Sequence, residues 1–123
     1  MTVGHVNATL ILRNPRLPHL CVTDVRALVD SASTFLCIPE WLCAQLELDA
    51  IGTRPAVLAD GSIRNVPYVG PIEMVFKRRV AFGGALVMGD QVLLGAVPME
   101  DMDLIIVPKT QTLEFNPKCG VRI

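Results

Sequence analysis

A lone acidic residue closes an apolar run at Ala27-Leu28-Val29-Asp30, and small residues, mostly hydroxyl-bearing, follow it in Ser31-Ala32-Ser33-Thr34. Such a run is drawn into a core, where a carboxylate is costly unless it is hydrogen-bonded or put to use. Asp30 is therefore the first candidate for acid–base chemistry. The competing role for it is structural, a buried carboxylate held by backbone N–H groups. The other acids that draw notice stand in turn-like or helical settings. Asp60 precedes Gly61, Asp90 follows Gly89, and Glu100, Asp101 and Asp103 crowd one short turn. The four cysteines, Cys21, Cys37, Cys43 and Cys119, contain no Cys-x-x-Cys pair, and the two histidines, His5 and His19, stand apart. That spacing matches no zinc pattern. The thiols read as reduced, small core hydrophobes, and neither a metal nor an organic cofactor is expected.

The chain that must position Asp30 has 123 residues, enough for one domain with a modest core, read here as a single domain over 1–123. Apolar residues make up 51% and charged residues 19%, the balance of a globular chain and not of a disordered one. A net charge of −1 supplies no basic field for nucleic acid. No apolar run approaches the roughly 18 residues that span a bilayer. No basic stretch precedes an apolar one near Met1, so no secretory signal is read. With the cysteine usage, this leads to an expectation of a cytoplasmic protein.

Alternation predicts a strand at Val6 to Leu12, and Asp24 to Asp30 reads as a second strand after the breaker Asn14-Pro15-Arg16-Leu17-Pro18. Ile38 to Leu48 reads as the main helix, about 39–48, with Pro39 at its first position, Leu42 and Leu46 on one face, and Gly52 as its stop. Short strands and turns follow. Ala56 to Ala59 leads into the hairpin dipeptide Asp60-Gly61, and Ser62 to Tyr68 returns. Pro71 to Phe76 and Val80 to Met88 flank Lys77-Arg78-Arg79, read as a solvated turn. Gln91 to Ala96 reads as a buried strand, and Pro98 to Asp103 as a short helical turn. Leu104 to Val107 and Thr112 to Phe115 close the chain as strands. The sum is a mainly β fold, a small closed or sandwich-like β structure with one main helix.

Three segments, in order, resemble the retropepsin-like aspartic proteases, the retroviral type, and in particular their bacterial single-domain members. The first is Asp30-Ser31-Ala32-Ser33, entered from an apolar strand and followed by an apolar run and a Pro-initiated helix. The second is Leu58-Ala59-Asp60-Gly61-Ser62, similar to the tip of the flap hairpin. The third is Val92-Leu93-Leu94-Gly95-Ala96, similar to the apolar-apolar-Gly strand that runs beside the catalytic loop and supports it. The resemblance covers about residues 24 to 117. It implies a retropepsin-like closed β-barrel, the acid-protease fold, that works as a two-fold homodimer.

The implied chemistry is hydrolysis of a peptide bond by water held between two carboxylates that share one proton. Like charges about 3 Å apart cannot both ionise, so one carboxylate activates the water while the other protonates the carbonyl oxygen. This chain has one carboxylate in the right setting, so the second must come from Asp30 of another copy. The resemblance gives Ser31 a hydroxyl contact across the dimer axis, against an ordinary turn serine. Gly61 is given a flexible hairpin tip, against a plain tight turn, and Gly95 a close approach to the catalytic loop, against a simple strand end. Ala32, Ser33, Leu93 and Leu94 complete the loop and its support, and Ala59, Asp60 and Ser62 complete the flap. The family pattern has Gly at the position of Ala32. A left-handed backbone there costs an alanine roughly 1–2 kcal/mol, and at negative φ the added methyl crowds the water or the substrate instead.

Three functions follow. The first is a homodimeric aspartic endopeptidase acting on an extended peptide or protein substrate, with no nucleic-acid or membrane partner. The second is a pseudoprotease, the same dimer binding peptides or scaffolding with its catalysis impaired by Ala32. The third is a β-barrel interaction domain, monomeric, with Asp30 exposed.

Overall fold

The computed structural model describes residues 5–117. Nine strands and two short helices follow in the order β1 (Asn7–Arg13), β2 (Cys21–Val29), β3 (Leu36–Ile38), α1 (Glu40–Gln45), β4 (Asp49–Val57), β5 (Ile63–Phe76), β6 (Arg79–Val87), β7 (Val92–Leu94), α2 (Ala96–Asp101), β8 (Leu104–Val107) and β9 (Thr112–Phe115). The mainly β reading holds. The main sheet runs β1-β2-β7-β3-β6-β5-β4, and β1 also pairs with β5. That extra pairing, Ile11–Arg13 against Glu73–Val75, closes six strands into a barrel and leaves β4 outside it. Arg13 and Glu73, opposite each other in this register, form an ion pair of 2.8 Å across the closure.

Alternation drives the closure. β1 buries Ala8, Leu10 and Leu12 on one face and turns Asn7 and Thr9 to solvent. The barrel is filled by Leu10, Leu12, Leu36, Ile38, Leu42, Leu46, Ile72 and Leu94, all fully buried. α1 and α2 contribute Leu42 and Met99 to the same cluster. A second, smaller cluster of Cys37, Ala56, Val66 and Leu86 lies against β4 and β5, ringed by Phe35, Tyr68, Met88 and Leu93. Among the described residues no helix is long and apolar enough to cross a membrane.

Several local expectations need correction. The main helix is shorter than 39–48. The buried Asn14 donates its amide to the Leu46 carbonyl at 2.9 Å and to that of Glu47 at 3.3 Å. Those carbonyls are the ones a helix end leaves open, and Glu47 then turns to φ +50°. Gly52 is no helix stop; it lies within β4, beside a register shift after Ala50. The turn expected at Pro98 is a helix that begins two residues earlier, because Ala96 and Val97 donate their N–H groups to Ser33 and Thr34. Leu36-Cys37-Ile38, read as an apolar run into the helix, is a strand. Ser62 to Tyr68 and Pro71 to Phe76 belong to one strand, β5. It continues through the cis Gly70–Pro71 bond where the pairing with β6 shifts, the kind of irregularity that accommodates a residue lacking an N–H. The basic trio is not simply solvated. Arg79 starts β6 and donates to the Met102 carbonyl at 2.6 Å, and all three cations lie within 6 Å of an aromatic ring centroid, Phe115 among them.

Candidate functional site

The chain leaves β2 at Asp30, turns through Ser31 to Thr34, and returns as β3 on the far side of β7. β7 lies parallel to β2, through Ala27–Val29 against Val92–Leu94, and antiparallel to β3 at Cys37 and Leu93. The loop therefore spans a strand inserted between its two stems. Its hydrogen bonds follow from that insertion. Asp30 donates its N–H to the Leu94 carbonyl at 3.0 Å, and Ser33 donates to the Asp30 carbonyl at 3.1 Å. Ala96 and Val97 donate to Ser33 and Thr34 at 2.8 and 2.9 Å. Within the loop, Asp30 Oδ1 accepts the Ala32 N–H at 3.1 Å, and Ser33 Oγ donates to the Phe35 carbonyl at 3.2 Å.

Gly95 sits where these contacts converge. A Cβ added there would lie 2.4 Å from the Phe35 carbonyl oxygen, 2.6 Å from that of Ser33 and 2.9 Å from the Phe35 nitrogen. The close approach expected of Gly95 is present, and it is made against backbone of the loop and of the residue that follows it. Leu94 is fully buried beneath the loop, and Leu93 is half-buried.

Asp30 is half-buried and opens on a cleft of about 470 Å³. Ala32, Ser33 and Phe35 border it on the loop side and Arg54 to Val57 of β4 on the other, with Cys37, Leu86 and Leu93 among its lining. Asp30 is the one acid among the described residues that line it. The setting differs from an enclosed carboxylate: one side is held by backbone and the other faces open space. Ala32 is exposed, lines this cleft, and is not among the described non-glycine residues with positive φ. Of the two consequences expected of the alanine, only the methyl on the cleft wall applies, without backbone strain. Ser31 is exposed on the loop.

The segment expected to form the hairpin tip does so. Leu58 and Ser62 close it with an N–H···O bond of 2.8 Å, and Gly61 takes φ +85°. Asp60 Oδ1 accepts from both the hydroxyl and the N–H of Ser62, and these bonds hold the Asp60 carboxyl below its ordinary value. Ala59, Asp60, Gly61 and Ser62 are all exposed, and none of them lines the cleft; the hairpin reaches it through Arg54 to Val57.

Composition and spacing did not bring together four side chains at or beside this cleft, Cys37, Phe35, Tyr68 and Arg54. Cys37 is buried and in contact with Ser33 Oγ at 3.7 Å. Burial pushes its thiol above the ordinary value, the Ser33 contact acts against this, and the Asp30 charge adds to it. Phe35 and Tyr68 meet at a tilt of 59° with 5.5 Å between ring centroids, and the Arg54 guanidinium lies over both rings. An aromatic after the loop and an arginine in an exposed strand are ordinary residues until the fold brings them together. Among the described residues no group of three or more His, Cys, Asp or Glu is placed to share a metal ion. No protein-family model matches the chain, and no curated protein matches it.

Proposed function

We propose that the chain is an aspartic endopeptidase of the retropepsin-like type, active as a two-fold homodimer. One observation carries this reading: Asp30, on a loop fixed by backbone hydrogen bonds, presents the one acidic side chain of an open cleft. A single carboxylate is half of an acid–base pair. A second copy about a two-fold axis supplies the other half as its own Asp30. The pair then shares one proton, and the ionised member takes a proton from water as the water attacks the scissile carbonyl. The protonated member protonates the carbonyl oxygen; the proton taken from water then passes to the amide nitrogen, and the adduct collapses to amine and carboxylic acid as a hydroxyl proton returns to the other carboxylate. The β4–β5 hairpin supports an extended peptide as substrate, bound as a strand along the cleft. Three described cysteines, Cys21, Cys37 and Cys43, are free thiols, which supports a cytoplasmic setting.

The test is cleavage of a peptide library read by mass spectrometry from about pH 4 to 7, with the wild type beside Asp30→Asn and the assembly state measured by sedimentation. Cleavage by a dimeric wild type that disappears in Asp30→Asn is the expected result. Cleavage that persists in the variant removes Asp30 from the chemistry. A folded dimer that cleaves nothing assigns the cleft to the second reading, peptide binding or scaffolding without catalysis. The Ala32 methyl on the cleft wall favours that reading.

A further inference from the structure

Arg54 is an exposed residue of β4 that lines the Asp30 cleft. Its guanidinium carbon lies 4.6 Å from the centroid of the Tyr68 ring and 5.7 Å from that of Phe35. Among the described residues it forms no ion pair; the two that exist are Arg13–Glu73 and Arg16–Asp49. The rings are themselves fixed. Tyr68 sits so close over Gly84 that a Cβ there would lie 2.2 Å from a ring carbon, and Phe35 follows the loop that carries Asp30. A guanidinium held against a ring by cation–π attraction keeps N–H donors free to bond elsewhere. The β4–β5 register places Arg54 and Ala56 on one face with their cross-strand partners Val66 and Arg64. That face carries two cations and no acid.

We propose that Arg54 is a specificity-determining residue of the cleft. In this assignment the tilted Phe35–Tyr68 pair holds its guanidinium ready to pair with a side-chain carboxylate, Asp or Glu, of an extended peptide. The inference rests on the reading of this cleft as the substrate site and adds the substrate's charge to it. A planar, bidentate pair suits arginine over lysine, since a pre-oriented fork loses less freedom on binding.

The experiment uses C-terminally amidated peptides, otherwise uncharged, in pairs that differ by Glu or Gln at one scanned position. Binding is read by fluorescence anisotropy on the full-length Asp30→Asn protein at low and high salt. Arg54→Gln and Arg54→Lys are then placed in that background, with melting temperatures taken to confirm folding. At one position Glu is expected to bind about tenfold more tightly than Gln, the size of one charge-assisted hydrogen-bonded pair. Salt reduces the preference, Arg54→Gln abolishes it and Arg54→Lys keeps part of it. Equal binding of Glu and Gln peptides at every position overturns the proposal, and so does a preference that survives Arg54→Gln. Arg54→Gln that weakens the dimer but leaves the preference intact assigns Arg54 to a subunit contact. The two readings separate cleanly. Charge-selective binding lost in Arg54→Gln, with no cleavage by the wild type, keeps the subsite and removes the peptidase. Cleavage without an acidic preference does the reverse.

Discussion

Replacing Gly95 by alanine tests whether β7 holds the Asp30 loop by direct backbone contact. The added Cβ starts 2.4 Å from the Phe35 carbonyl oxygen, and real Cβ contacts essentially never fall below 3.0 Å, so the backbone must separate by about 0.6 Å. Reaching an ordinary contact of 3.4 Å takes about 1 Å. No flexible side chain can absorb this, because the three nearest atoms are all backbone. The Ala96–Ser33 and Val97–Thr34 hydrogen bonds, at 2.8 and 2.9 Å, stretch with it. Overpacking of this kind costs about 1–3 kcal/mol, which lowers Tm by roughly 4–15 °C in a domain of this size. A displacement of about 1 Å at a reacting group costs about 100-fold in rate, so kcat for any peptide the wild type cleaves falls by about that factor while KM changes little. Circular dichroism melting and steady-state cleavage read the two effects. Gly52→Ala is the control, since a Cβ there meets nothing within 4 Å, and it shifts stability by less than about 0.5 kcal/mol. A Gly95→Ala protein that melts and cleaves as the wild type does would refute the argument that this contact sets the loop's position.

Two further expectations concern pH. The buried Cys37 thiol has its pKa raised above 9.0, chiefly by burial, so its contribution to stability is fully present below the unfolded thiol value and is lost as pH rises through the folded one. Urea unfolding from pH 8 to 11 is expected to show a smaller alkaline loss in Cys37→Ala than in the wild type, with Cys43 raised in the same direction and left in place; parallel losses in the two proteins count against it. Asp60 is shifted the opposite way, below 3.8, by its bonds to Ser62. The order it lends the hairpin tip is present above the unfolded value and lost only as pH falls through the folded one. Amide exchange at Ser62 should stay protected through pH 4 in the wild type and lose that protection in Asp60→Ala, and equal exchange in both rules out the side-chain bond as its source.

The parts of the fold that were legible in the sequence are those written in local pattern. Alternation located β1, short strand-like runs located β8 and β9, and Asp60-Gly61 located the hairpin tip, because such runs and turn chemistry are local properties. The end of α1 was not legible, since the group that closes it, Asn14, lies 32 residues away from Leu46. Nor was β3, three residues whose pairing is entirely with the distant β6 and β7. The site divides in the same way. Asp30 stood out because a carboxylate at the end of an apolar strand is anomalous by type. Gly95 stood out only through the family resemblance. Phe35, Tyr68 and Arg54 have unremarkable types and wide spacing, and only the fold makes them one group. The distance between the hairpin tip and the cleft of a single chain was equally invisible, because it depends on how β4 leaves the barrel and not on any residue in the tip.

The wedging of β7 between the stems of the Asp30 loop has a consequence for how the chain acquires its site. β2 and β3 are separated by six residues, yet the strand that joins them edge to edge lies about 60 residues downstream. Closing a loop of that length has an entropic cost that precedes any contact it brings, and such non-local pairings slow folding. Asp30 therefore gains its hydrogen bond to Leu94 only once β7 has emerged and paired with β2. During synthesis the nascent chain carries the loop without the strand that shapes it. The order of assembly delays the finished site until β7 is present.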